Sequence, residues 1–160
     1  GMFYKRRDYT RVVNGRNPIV AHEFLGSSVE GKDVIIIDDM ISSGESMIDV
    51  ATELKKRKAN RIFVVATFGL FTKGLEVFDK CHEEGLIEKV ITTNLTYQLP
   101  ELADRDWYVS ADMSKYIALI IDHLNHDASL SDLLDPSERI SARIAEYKEK
   151  HTISDNYENY

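Results

Sequence analysis

The sequence predicts an α/β fold, a three-layer sandwich around a mostly parallel sheet, and three observations carry that expectation. Val34-Ile35-Ile36-Ile37 and Ile62-Phe63-Val64-Val65-Ala66 are unbroken apolar runs, the pattern of strands buried on both faces of a parallel sheet. Between them lies a segment of helical length whose Met47, Val50, Ala51 and Leu54 fall on one face. Strand, helix and strand in that order make a right-handed crossover.

Length and composition set the bounds. A chain of 160 residues can build one core and is too short for two ordinary domains. With 43% hydrophobic and 29% charged residues it has the composition of a soluble globular protein. No apolar run approaches the roughly 18 residues that would span a bilayer, so no membrane partner is expected. The net charge of −7 argues against nucleic acid as the main partner. A lone Cys81 excludes an internal disulfide and suits a reducing, cytoplasmic setting.

Taken in order, Gly1-Met2 reads as a tag remnant, and residues 1–3 are set aside. A Lys-Arg-Arg run follows with no leading strand, which suggests a piece of something longer. Residues 4–17 are polar, basic and end in turn formers, so they read as a flexible basic loop. That loop is either a solvated terminus or a flap that brings Lys5, Arg6 and Arg7 onto a polyphosphate.

The main domain is expected over residues 18–134. Pro18 to Leu25 alternates as an edge strand does, and Gly26 to Lys32 is a turn feeding the strand from Val34. Past the carboxyl end of that strand come Asp38 and Asp39, then Ser42-Ser43-Gly44-Glu45-Ser46, which opens the first helix. In open α/β sheets this crevice is where ligands bind. The hydroxyls, the permissive glycine and the unpaired N–H groups of the helix suit a phosphate. The aspartates suit sugar hydroxyls, and a carboxylate pair can also touch a hydrated divalent cation. Together they suggest a phosphorylated sugar, held by its phosphate at one end and its diol at the other. The plainer alternative is an ordinary Ser- and Gly-containing turn.

Thr67 to Phe71 reads as an apolar loop after the second strand, and a helix runs from Thr72 or Lys73 to Glu84, with Leu75, Phe78 and Cys81 inward. Ile87 to Thr93 is a third strand and Trp107 to Ser110 a short edge strand, joined by a loop or short helical turn around Pro100. Ser114 to Asn125 carries Ile117, Ile120, Ile121 and Leu124 at helical spacing. His123 and His126 lie off that stripe without a carboxylate to complete a metal site, and read as surface residues. Residues 135–160 form a last helix, started by Asp135-Pro136-Ser137-Glu138, and a polar tail. There is no Walker A sequence, dinucleotide glycine fingerprint, catalytic Cys-His pair or CxxC pattern.

Val34 to Ser46 resembles the PRPP-binding motif of the type I phosphoribosyltransferase folds, so the sandwich is expected to be phosphoribosyltransferase-like. More closely, Tyr4-Lys5-Arg6-Arg7, Gly31-Lys32 and the Asp38-Asp39 strand end resemble the second half of the ribose-phosphate pyrophosphokinases, or PRPP synthetases. Thr67-Phe68-Gly69-Leu70-Phe71, Thr92-Thr93-Asn94 and the helix from Ser114 extend that resemblance over about residues 3 to 126.

The resemblance implies transfer of the β,γ-diphosphoryl group of ATP to the 1-hydroxyl of ribose 5-phosphate, giving PRPP for nucleotide biosynthesis, with Mg²⁺ as the metal. By position, Asp38 and Asp39 would hold ribose hydroxyls, and Ser42, Ser43, Gly44, Glu45 and Ser46 would cradle the 5-phosphate. Lys5 and Arg7 match the basic residues of the family's catalytic loop. The family also implies a homo-oligomer, and an ATP site mainly in a preceding half that this sequence does not contain. The family loop usually reads close to Asp-Thr-Ala-Gly-Thr; here Ser42 replaces the acid, and Glu45 stands where the residue is normally small. These departures leave two alternatives: a phosphoribosyltransferase that uses PRPP, or a non-catalytic PRPP-synthetase-associated regulator. The isolated chain is expected to make no PRPP.

Overall fold

A computed structural model of the chain describes residues 1–7 and 19–151, with side chains described outside residues 3–23. The chain divides into two units, Gly1–Asp112 and Met113–Tyr160. In the first, β1 (Met2–Arg7) and β2 (Ile19–Leu25) pair antiparallel, with Lys5 opposite His22 and a register shift between Arg6 and Arg7. Residues 4 to 7 are therefore strand rather than the start of a loop, because the alternating segment before Gly26 gives them a ladder to join. The remainder of the expected basic loop, residues 8–17, lies outside the described residues.

The apolar runs form a second, wholly parallel sheet in the order β3-β4-β5-β6, from β3 (Val34–Ile41), β4 (Ile62–Gly69), β5 (Lys89–Thr93) and β6 (Tyr108–Ala111). Ile36 aligns with Val64, Val64 with Val90, and Val90 with Tyr108, so each row across the sheet presents one face. Against that face lie α1 (Glu45–Lys56) and α2 (Glu76–Glu83), which contribute Met47, Ala51, Leu54, Phe78 and Cys81 to the core. Burial pushes the Cys81 thiol above its usual pKa, as befits a packing residue. The α/β class and the parallel sheet flanked by helices match the reading of the sequence.

Three details differ from it. β3 is an outer strand among the described residues, and Ile35 and Ile37 on its other face are 62% and 79% exposed, so it is not buried on both sides. An apolar run has no periodicity that reports whether both of its faces are covered. β3 also continues through Asp38 and Asp39 to Ile41, so the aspartates are part of the strand. β4 likewise runs on to Gly69, absorbing Thr67 and Phe68, because Met40 and Ile41 extend the ladder to Phe68 and Gly69.

The second unit holds α3 (Ser114–Asn125), α4 (Ser131–Leu134) and α5 (Ser137–His151). The expected cap before α5 is made: the Asp135 carboxylate accepts the Ser137 N–H at 2.9 Å. Ile117, Ile121 and Leu124 of α3, and Ile140, Ile144 and Tyr147 of α5, are exposed. Residues 152–160, the expected polar tail, lie outside the described residues. Among the described residues no helix is long and apolar enough to cross a membrane.

The asymmetry of β3 is measurable by chemical denaturation. Leu54→Ala, which empties a site only 1% exposed, should cost about 2–5 kcal/mol. Ile37→Ala should cost under about 1 kcal/mol, because little burial is lost. Equal losses at the two positions would mean that β3 is covered on both faces.

Candidate functional site

The site expected from the sequence is built where β3 hands over to α1. A small cavity of about 120 Å³ is lined by Asp38, Ser42, Ser43, Gly44, Ser46 and Met47, among others. Five of the seven residues expected to hold a sugar phosphate are thus brought together. Asp39 and Glu45 are not on that lining. Strand alternation explains the first: Asp38 and Asp39 are successive residues of β3 and project to opposite faces. The Asp39 N–H donates to the Asp38 Oδ1 at 2.8 Å, which fixes the carboxylate beside the loop.

Glu45 is the first residue of α1, where the helix dipole favours an acid. Its carboxylate pairs with the ammonium of Lys73, on the connection between β4 and α2. Lys73 is a contact of Glu45 that its sequence position does not announce, where it reads only as a possible helix start. Its partner lies 28 residues away, so no local pattern announces the pair.

The loop is pinned from outside and from below. The Ile41 carbonyl accepts the Leu70 N–H at 2.9 Å, and the Ser42 carbonyl accepts the Thr72 N–H at 3.0 Å. These bonds tie the loop to the β4–α2 connection. Below it, Gly44 caps α1 in the left-handed region at φ 82°, and a Cβ there would stand 2.4 Å from the Phe78 ring. Only glycine meets both demands. With no side chain at the cap, the helix dipole and its first-turn donors are directed into the loop.

Phe78 is itself held by neighbours. It meets Phe71 edge-on at 5.2 Å between ring centroids and stacks on Trp107 at 5.6 Å. Phe71 is buried with φ at 45°, a backbone cost that the packed rings sustain. The Trp107 Nε1–H and the Arg105 Nε–H both donate to Asp79 Oδ1, at 2.7 and 2.9 Å. Burial raises the Asp79 pKa, but these two donors and the Arg105 charge outweigh it and hold the carboxyl below its ordinary value. Lys5 and Arg7 lie in β1, and their side chains are outside the described residues.

Two outcomes follow. Gly44→Ala should destabilise the chain by at least about 2 kcal/mol in urea titration, since it adds left-handed strain to a clash with Phe78. The folded-state pKa of Asp79 is depressed, so its stabilisation is present above the unfolded carboxylate value and is lost as pH falls through the folded one. Thermal melts between about pH 5 and pH 2 should therefore fall more steeply for the native chain than for Asp79→Asn.

With this geometry in place, comparison with known proteins is direct. A family model described as the phosphoribosyl synthetase-associated domain matches residues 14–138. A ribose-phosphate pyrophosphokinase of Mycoplasmopsis pulmonis is 30% identical over 115 residues, which cover 69% of this chain and 34% of that protein. Another, from Pyrococcus abyssi, is 42% identical over 69 residues, covering 42% of this chain and 24% of its own length. Among solved structures, a phosphoribosylpyrophosphate synthetase from Mycobacterium smegmatis shares the fold with a TM-score of 0.55 at 23% identity, over 71% of this chain and 35% of that one. The chain thus spans about a third of the length of the first of these relatives. On the match over residues 14–138, the chain belongs to the phosphoribosyl synthetase-associated domain family.

Proposed function

We propose that the chain is the sugar-phosphate-binding part of a ribose-phosphate diphosphokinase, which transfers diphosphate from ATP to ribose 5-phosphate to give PRPP. The observation that carries this reading is the cavity at the end of β3, where Asp38 meets Ser42, Ser43, Gly44 and Ser46 at the amino end of α1. The loop takes the 5-phosphate, and Asp38 accepts hydrogen bonds from ribose hydroxyls. Asp39, turned the other way, meets hydroxyls or a cation on the opposite side of the strand. In the reaction the ribose 1-oxygen bonds to the β-phosphorus as the bond from that phosphorus to the AMP oxygen breaks, and the hydroxyl proton is released. Lys5 and Arg7 neutralise charge on the transferred group, the role that dominates phosphoryl transfer.

Mg²⁺ fits this donor set in one way. Among the described residues no group of three or more His, Cys, Asp or Glu is placed to hold a metal alone. Asp38 and Asp39 project to opposite sides of the strand, and each is an exposed single carboxylate of the kind that would bind Mg²⁺ with water and substrate phosphates completing the shell. When bound, the ion neutralises phosphate charge. ATP, in this reading, is held mainly by a segment corresponding to the first half of the relatives, and the working protein is a cytoplasmic homo-oligomer.

Calorimetry with ribose 5-phosphate, PRPP and a non-hydrolysable ATP analogue tests the reading. Ribose 5-phosphate should bind by itself, and Asp38→Asn with Ser43→Ala should weaken it by on the order of 10- to 100-fold, the loss of one charge-assisted and one neutral hydrogen bond. The isolated chain given ATP and ribose 5-phosphate should release no AMP. PRPP bound only together with a nucleobase would favour a transferase, and no binding of any of the three would favour a regulator.

A further inference from the structure

We propose that Lys73 is the counter-ion that lets the sugar-phosphate loop accept an anion despite Glu45; the inference rests on the sugar-phosphate reading of that loop. Glu45 follows Gly44 directly and stands at the amino end of α1, so its carboxylate occupies the field that would otherwise attract a phosphate. Without a counter-charge it repels a dianionic ligand held by the adjacent loop, a penalty on the order of tenfold in affinity at the dielectric of an exposed site. The Lys73 ammonium lies on that carboxylate. The pair therefore presents a neutral edge where Glu45 by itself presents a negative one.

Lys73 is held there by the backbone. Thr72, its neighbour, donates to the Ser42 carbonyl at 3.0 Å, Leu70 donates to Ile41 at 2.9 Å, and Gly74 closes the turn onto Phe71 at 2.9 Å. The connection that carries Lys73 is thus bonded to the same loop whose charge it balances. The two side chains are 54% and 44% exposed, so the pair contributes little to folding. Its effect falls on what the loop can hold. Lys73 is a compensating residue that balances Glu45, and this gives it a signature: its loss alone lowers anion binding by uncovering the Glu45 carboxylate, and removal of both charges restores it.

The test is a double-mutant cycle by calorimetry at low salt, with ribose 5-phosphate and inorganic phosphate as probes, on the native chain, Lys73→Met, Glu45→Gln and the double variant. Circular dichroism melts establish that each variant is folded. Lys73→Met should weaken ribose 5-phosphate about tenfold, Glu45→Gln should bind at least as tightly as the native chain, and the double variant should recover to within about threefold of native affinity. Unchanged affinity in Lys73→Met overturns the inference and leaves the sugar-phosphate reading standing. A double variant as weak as Lys73→Met also overturns it, since the Glu45 carboxylate would then exert no repulsion for Lys73 to offset. Failure of all four proteins to bind either probe removes the sugar-phosphate reading, and the inference with it.

Discussion

The close approach of Gly44 to the Phe78 ring is the constraint on which the site depends. Because a Cβ would stand 2.4 Å from that ring, the turn can sit low against the core and α1 can begin directly over the carboxyl end of β3. A turn raised by one methyl group would carry Ser42, Ser43 and Ser46 away from Asp38. The ring is fixed in turn by Phe71 and Trp107, and Trp107 by its bond to Asp79. The chain of support therefore runs from a carboxylate on α2, through stacked rings, to the loop. It consists of buried packing and short hydrogen bonds, both stiff compared with the exposed side chains that would meet a ligand.

How much of this the sequence reveals differs by level. Strands and helices are legible from their periodicity: Met47, Ala51 and Leu54 recur at helical spacing and are buried together, while the same spacing marks α3, whose Ile117, Ile121 and Leu124 are exposed. The position of the loop was legible for a related reason, since acids and hydroxyls after an apolar run mark the end of a strand and the start of a helix. Ile35 and Ile37 show where such reasoning stops. Their hydrophobicity is the same whether a helix covers them or not, and coverage depends on the order of strands, which no run of residues encodes. Phe78 beneath Gly44 and Lys73 on Glu45 were illegible because both are meetings of residues about 30 positions apart.

The two acids of β3 and the acid of α1 are also solved differently by the fold. Asp38 keeps its carboxylate at the loop, steadied by the Asp39 N–H, where acceptors for hydroxyls are useful. Glu45 is drawn sideways to a lysine on another connection. In a chain whose net charge is −7, each negative charge near the loop that is turned aside or matched makes its potential less negative. Alternation along the strand does the first for Asp39, and an ion pair does the second for Glu45.

The outer position of β3 bears on the same point. Among the described residues no strand pairs with the other edge of β3, the strand that presents Asp38, and the exposed apolar side chains of Ile35 and Ile37 belong to the same strand. Any segment that paired with this edge would extend the sheet next to the strand that carries Asp38. The edge groups of β3 and the Asp38 carboxylate on the cavity lining thus belong to the same few residues of backbone.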